Sequence, residues 1–424
     1  MQKFMDFMEK YVVPVASKMG AQKHLIAIRD GFISIMPLIM AGSLAVMINN
    51  IPITGYPEFM AKIFGAEWRY PQGQVWNASF GIMSLILVVT TAYSLAKSYD
   101  KDAIACAVVC YAATSMLYAP GAAGDAFKGT NGLFVALAVP LIVGTIFCKL
   151  IGNPKLIIKM PEGVPPAVSR GFAAILPSMI ILALVAAIQS VLLWVFGIDN
   201  IHKVVSDAIQ SPFMKLFSSS IVPVLIFILC QQLFWFMGLH GANLLGPIVN
   251  AVLLPLTTSN IEAFSLGQEP TSIITSQFLD SFVNLGGSGA TISLLIAILL
   301  VSKNKASKAI SKISIAPGLF NINEPVIFGM PIVLNPIYIV PFIIAPIVCA
   351  IIAYYATLWG FMPTTRMLVY WTVPPVLSAF IATASFKGAL IALINVVVAT
   401  GIYLPFVKVA DKQALLEESQ ELAQ

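Results

Sequence analysis

The chain of 424 residues carries 24 Lys and Arg against 19 Asp and Glu, a net charge of +5, and is 58% hydrophobic but only 10% charged. A soluble chain holds about a quarter charged residues, and so apolar a composition leaves too little polar material to solvate the surface around a single core. An ordinary cytosolic enzyme, a nucleic-acid binder and a disordered regulator are excluded, and a polytopic membrane protein remains.

At the N-terminus, Phe4, Phe7, Met8, Tyr11 and Val12 recur near helical spacing, with Lys3, Asp6, Glu9 and Lys10 elsewhere on the wheel. This predicts an amphipathic helix lying in the membrane interface, and the segment lacks the apolar run of a cleavable signal. A helical crossing needs about 20 apolar residues. Such runs begin after Arg29 and continue at about 78–96, 103–120, 132–150 and 172–197. Lys3, Lys10, Lys18, Lys23 and Arg29 precede the first run, Lys97 and Lys101 follow the second, and Lys149, Lys155, Lys159 and Arg170 follow the fourth. The alternate loops are nearly neutral, so the positive-inside rule places the N-terminus in the cytoplasm and 198–217 outside. His24 and His202, in these flanking segments, read as solvated.

Beyond 217 the apolar runs, at about 219–239, 243–256, 290–301, 335–358 and 388–407, are often short. Between them lie segments rich in Gly, Pro, Asn and Ser yet too apolar for loops, at 281–291, 315–331 and 360–375. Irregular backbone at membrane depth is tolerated only inside protein or along a wet cavity. It predicts re-entrant hairpins near 276–291 and 313–331, and interrupted spans point to a transporter's solute site. Lys303, Lys305, Lys308 and Lys312 then fall inside, as do Lys408 and Lys412. The predicted fold is all-α, with ten spans, two hairpins and cytoplasmic termini. Residues 1–217 form a scaffold half, 218–408 a substrate-binding half and 409–424 a polar cytoplasmic tail.

Intramembrane ionisable groups are costly and functional by default. Glu324 is the acid that stands out, set in Asn321-Ile322-Asn323-Glu324-Pro325 before an apolar stretch. Pro325 biases Glu324 away from helix, so the carboxylate sits at a chain break between amides; capping the following helix is its plainer use. Asp280, just before a glycine-rich segment, is a second candidate that N-capping or pairing explains equally well. His240 lies between Gly238 and Gly241, with Gln231, Gln232, Trp235 and Asn243 near it. Amides and an indole suit a sugar, whose apolar C–H face stacks on aromatic rings. Trp371 offers a second platform, although for either Trp an interfacial belt position competes. Gly286-Gly287-Ser288-Gly289-Ala290-Thr291 exposes successive backbone N–H groups that bind hydroxyl or phosphoryl oxygens, or else forms a tight hairpin tip. Cys106 and Cys110, four apart, read as packing residues, and no metal-ligand spacing or P-loop is present. The residues alone indicate a transporter of a neutral polar solute with an acid and a histidine at its site.

RDGFISIMPLIMAGSLAVMINN (29–50), WFMGLHGAN (235–243), LDSFVNLGGSGAT (279–291) and NINEPVIFGMPIVLNP (321–336) together resemble enzyme IIC of the lactose/cellobiose/diacetylchitobiose family of the sugar phosphotransferase system. The similarity runs from about 10 to 408. It implies a homodimer in the bacterial cytoplasmic membrane and group translocation, in which a phosphocysteine on cytoplasmic IIB, charged from IIA, phosphorylates the C6 hydroxyl of a β-linked disaccharide. It gives Glu324 the role of general base and His240 that of holding the hydroxyl or the incoming phosphoryl group. Asn323 would bind a sugar hydroxyl, and Trp235 and Trp371 the rings. Asn284, Gln232 and the turn with Gly286, Gly287, Ser288 and Thr291 would complete the pocket, with no metal or cofactor. All five cysteines lie in apolar runs, so the phosphocysteine belongs to a separate polypeptide. That departure from the lactose type favours the cellobiose/diacetylchitobiose branch. The rival is a proton-coupled sugar symporter using Glu324 and His240 as its relay.

Overall fold

The structure is a computed structural model that describes residues 21–421 except 52, 54, 157, 159, 160, 162–164 and 331, and before residue 21 only 10, 14 and 18. The amphipathic N-terminal helix predicted from the sequence therefore lies outside the described residues.

The described residues form helices joined by turns and irregular segments, without a strand. The first half contains α1 (Lys23–Asn49), α2 (Met83–Ser98), α3 (Ala103–Met116), α4 (Leu133–Ile151) and α5 (Pro166–Phe196). α2 is central, packing on α1, α3 and α4. α1 approaches it closely because Gly31 carries no side chain: a Cβ there would stand 2.4 Å from Thr91 Oγ1. α3 is started by Asp102, whose carboxylate accepts the N–H of Ala105 at 3.0 Å. One core cluster joins these helices, from Ile28 to Val185, with Leu254 added from the second half.

The outer connecting segment corrects one sequence reading. His202 is not solvated but 1% exposed, its ring stacked on Tyr118 with centroids 4.2 Å apart and planes 13° apart. The segment folds back onto the loop after α3, where Asn200 Nδ2 donates to the carbonyl of Ala123 at 3.2 Å, and this closure takes the imidazole out of water. His24 is likewise engaged, bonding Thr145 Oγ1 through Nε2 at 3.0 Å.

The second half comprises α6 (Val222–Phe236), α7 (Gly241–Ser265), α8 (Ser276–Phe282), α9 (Thr291–Val301), α10 (Lys305–Leu319), α11 (Glu324–Gly329), α12 (Ile339–Leu358), α13 (Pro375–Thr383) and α14 (Phe386–Glu421). Two further core clusters are built from it, one around Leu294, Phe342 and Tyr403, the other around Phe278, Phe282 and Ala350. α7 bridges the halves, packing on α1 and bonding Thr258 Oγ1 to Thr130 Oγ1 at 2.9 Å.

α9 and α10 form an antiparallel pair. Ser311 Oγ donates to the Leu295 carbonyl at 3.3 Å, and the Cα face of Gly318 meets Leu295 and Ile292. Their connection is fastened to α14: Ser302 Oγ donates to Asp411 Oδ1 at 2.8 Å, and the Lys303 backbone N–H donates to Oδ2. The last span and the residues beyond it form one helix from Phe386 to Glu421. Among the described residues six helical stretches are long and apolar enough to cross a membrane, and Ile201–Ser219 with Val222–Phe236, bent by 95°, make a seventh if counted as one. α3 and α9 are apolar but only 14 and 11 residues long.

Candidate functional site

Three chain breaks converge between the halves: 237–240 between α6 and α7, 283–290 between α8 and α9, and 320–323 between α10 and α11. Each breaks where the sequence permits it. Gly238 adopts φ +78°, Gly286, Gly287 and Gly289 all have positive φ, and Asn321 has φ +61°, a region that Gly and Asn enter at least cost.

His240 caps α7, its Nδ1 accepting the backbone N–H of Asn243 at 3.1 Å. A nitrogen that accepts carries no proton, so the neutral ring bears its hydrogen on Nε2. That Nε2 stands 3.5 Å from Oε1 of Glu324, the first residue of α11, with side chains 37% and 45% exposed. The His240 ring also lies on Trp235, centroids 4.2 Å apart.

Amides brace the glycine turn. Asn321 Oδ1 accepts the N–H of Gly286 at 2.8 Å, while its Nδ2 donates to the carbonyls of Trp371 and, at 3.1 Å, Val373. One side chain thereby ties together the segments 281–291, 315–331 and 360–375. Asn323 Nδ2 donates to the Ser288 carbonyl at 3.0 Å, and Gln231 Nε2 donates to Ser288 Oγ at 2.9 Å. From behind, the Tyr403 hydroxyl donates to the Gly289 carbonyl at 2.6 Å.

His240, Glu324, Trp235, Asn321, Asn323 and the glycine turn at Gly287 and Ser288 line a cavity of about 410 Å³, to which α1 contributes Ile33 and Met36. Of the residues predicted from sequence, Glu324, His240, Trp235, Asn323, Trp371, Asn284, Gly287 and Ser288 line it, and Asp280 joins them. Gly286, Gln232 and Thr291 do not. Thr291 is fully buried and turns its hydroxyl to the Gly286 carbonyl, holding the turn's shape. Gln232 is fully buried off the cavity; Gln231, one residue earlier, reaches the turn and lines an adjoining space. The sequence named Gln231 beside Gln232 but gave the pocket role to Gln232, and it did not mark Asn321 as the brace or α1 as a wall of the cavity. Asp280 and Trp371 also line a second cavity of about 200 Å³ that extends along α1 past Arg29 to Ser43. Among the described residues no group of three His, Cys, Asp or Glu side chains is placed to hold a metal ion.

A carboxylate with an imidazole nitrogen 3.5 Å from it, two indoles and several amides in a cavity between the halves can hold a polyhydroxy solute and take a proton from it. The family model of the phosphotransferase system EIIC matches residues 29–346, three quarters of the chain and nearly all of this site. The chain belongs to this EIIC family. It is 37% identical over 443 residues to the lichenan permease IIC component of Bacillus subtilis, covering 100% of this chain and 97% of the relative. It is 36% identical over 445 residues to the cellobiose-specific EIIC component of Geobacillus stearothermophilus, covering 99% and 97%. Among solved structures it is similar to the transporter ChbC, the IIC component from the N,N'-diacetylchitobiose-specific phosphotransferase system, with a TM-score of 0.92, 39% identity and coverage of 97% and 99%. This EIIC is thus a membrane sugar permease of the cellobiose/lactose/chitobiose family, which acts with IIB and IIA partners.

Proposed function

We propose that this EIIC carries a β-linked disaccharide, cellobiose or N,N'-diacetylchitobiose, across the bacterial cytoplasmic membrane and presents its C6 hydroxyl to phospho-IIB. The observation that carries the reading is the pair formed by Glu324 and His240 on the cavity wall, 3.5 Å apart. An alcohol is a weak nucleophile until a base removes its proton. Glu324 takes the O6 proton as O6 attacks phosphorus; the S–P bond of the IIB phosphocysteine breaks and the thiolate leaves. His240, protonated on Nε2 and fixed through Nδ1, donates to O6 or to a phosphoryl oxygen, whose charge needs positioned donors. The names of the relatives and of the structural neighbour support β-linked sugars. Trp235 and Trp371 supply stacking faces, and Asn284, Asn323 and the turn at Gly287 and Ser288 supply hydroxyl partners.

The same reading takes 1–217 as a dimerising scaffold and 218–408 as the substrate-carrying half. This is supported by the separation of their core clusters. It counts ten spans per subunit, with α3 and α9 among the short ones, places both termini in the cytoplasm, and takes the segments around α8 and α11 as re-entrant.

Proteoliposomes holding this EIIC, with phospho-IIB on the cytoplasmic face and labelled sugar on the other, test the function directly. Sugar arriving as the 6-phosphate only when IIB is phosphorylated is the expected result. Unmodified sugar arriving without IIB, and blocked by a protonophore, would reassign Glu324 and His240 to a symporter's proton relay.

A further inference from the structure

A cluster of lysines lies where the site's own hairpin turns. Lys303, Lys305 and Lys312 are exposed and Lys308 is half-buried, over the α9–α10 connection and the first turns of α10. Lys408 and Lys412 are exposed on α14 on either side of Asp411, which is bound to Ser302 and to the Lys303 backbone. The carboxylate there is thus spent on a hydroxyl and a backbone N–H, and none of these six ammonium groups has a carboxylate within 4.0 Å among the described residues. From Ser281 to Asn323 the sequence contains no acid, while the next acids on α14 come at Glu417, Glu418 and Glu421. Some basic residues of the first half are occupied, Arg170 facing Asp102 at 4.0 Å and Lys23 and Lys97 covering the rings of Tyr99 and Tyr93, while Lys101, Lys149 and Lys155 are exposed as well.

The unpaired lysines belong to the body that carries the reacting pair. α10 runs from Lys305 straight to the break at 320–323, and Glu324 follows. α9, against which α10 packs, begins at the last residue of the glycine turn. A partner bound here grips the hairpin that holds Glu324, whichever way the two halves are set.

We propose that this surface, the 302–312 tip with Lys408 and Lys412, is where phosphorylated IIB docks, the lysines meeting the negative charge of its phosphocysteine. The inference rests on the reading of the site as one of phosphoryl transfer to sugar. Complementary charge of this kind acts mainly on encounter and orientation and weakens with salt.

The test uses the full chain in nanodiscs, the phosphorylated IIB of a cellobiose-type system, and the triple variant Lys305→Glu, Lys308→Glu, Lys312→Glu. Expected are a rise of about tenfold or more in KM for phospho-IIB, shrinking as salt is raised, and an unchanged sugar Kd. A KM within about twofold of wild type overturns the docking surface. A rise that appears in anionic nanodiscs and vanishes in neutral ones also overturns it, assigning the lysines to lipid headgroups. Should the triple variant lose sugar binding, the Lys→Gln triple takes its place, with a rise of about threefold expected and an unchanged KM fatal to the proposal. If wild type phosphorylates no sugar with any concentration of phospho-IIB, the functional reading itself has failed. If it does so and only the variant's KM stays unchanged, the docking surface alone falls.

Discussion

His240 holds the backbone N–H of Asn243 with Nδ1 and presents Nε2 to the Glu324 carboxylate 3.5 Å away, so one ring both starts α7 and faces the acid of α11. The two duties separate by mutation. Asn is as good an N-cap as any residue, so His240→Asn keeps α7 capped while removing the donor to Glu324. Thermal unfolding of His240→Asn is expected within about 0.5 kcal/mol of wild type, with sugar phosphorylation reduced by about 10² or more. His240→Ala loses both, at about 1 kcal/mol of stability. Normal turnover in His240→Asn would leave the ring with its capping role alone.

Glu324→Gln keeps a hydrogen-bonding group of the same size but cannot accept the hydroxyl proton. Sugar binding is expected to stay within about tenfold of wild type and phosphorylation by phospho-IIB to fall by about 10² to 10⁴. Equilibrium titration with labelled sugar and a single-turnover assay give the two numbers separately. Undiminished turnover would remove Glu324 from the proton-transfer step.

At Asn321 the backbone and the side chain make separate demands. Asn321→Ala leaves the buried Gly286 N–H and the carbonyls of Trp371 and Val373 without their partner, and at φ +61° loses the short polar side chain that eases Asn into the left-handed region. Unpaired groups cost about 1–3 kcal/mol each and the left-handed backbone about 1 more. Asn321→Gly relieves the backbone cost alone, so it should recover only about 1 kcal/mol of the loss. Full recovery in the glycine variant, read by denaturation in detergent, would mean that the bracing bonds contribute nothing.

Gly287 touches the pocket more directly. An added Cβ would stand 2.6 Å from Asn323 Cγ, at φ +99°. Gly287→Ala is therefore expected to push Asn323 off the Ser288 carbonyl and weaken sugar affinity by about tenfold, roughly the worth of one displaced hydrogen-bonding group. An unaltered sugar Kd would show that Asn323 does not need its present place.

His202 supplies a control away from the site. Neither ring nitrogen has a hydrogen-bond partner among the described residues, yet the ring is buried against Tyr118. His202→Phe keeps the stack and removes two unsatisfied polar atoms, so the midpoint of thermal unfolding is expected to hold or rise. His202→Ala, which empties the space, is expected to lower stability by about 3 kcal/mol. A lower midpoint for the phenylalanine variant would reveal a partner for the imidazole.

Glu324 and His240 were legible in the sequence because an acid and an imidazole among apolar residues announce their own cost. Trp235 was legible beside the histidine and Trp371 in the last irregular segment, whereas the sugar-binding roles of Asn284 and Asn323 came from the family resemblance. Asn321 was not singled out, because its amide differs from that of Asn323 only in where a left-handed residue aims it. The choice between Gln231 and Gln232 was equally hidden: adjacent positions on α6 point about 100° apart, and an isolated helix does not declare which side meets the turn. His202 misled because a histidine in a polar connection looks solvated until the segment folds onto Tyr118. The run that became α14 ended at a change of composition, but a helix continues past such a change when nothing in the backbone stops it.

The length of α10 has an energetic meaning. Its 15 residues, at 1.5 Å each, set the Lys305 end about 22 Å, and Lys312 about 12 Å, along the axis from the break that holds Glu324. If phospho-IIB docks as proposed, a phosphocysteine held by the Lys305 end is too far from Glu324 for that carboxylate to activate a stray water against it. The phosphoryl group would then be kept from hydrolysis beside the permease, and the gap would have to close before transfer. On that proposal, coupling between transport and phosphorylation would be a matter of reach, with the helix as a spacer between donor and base.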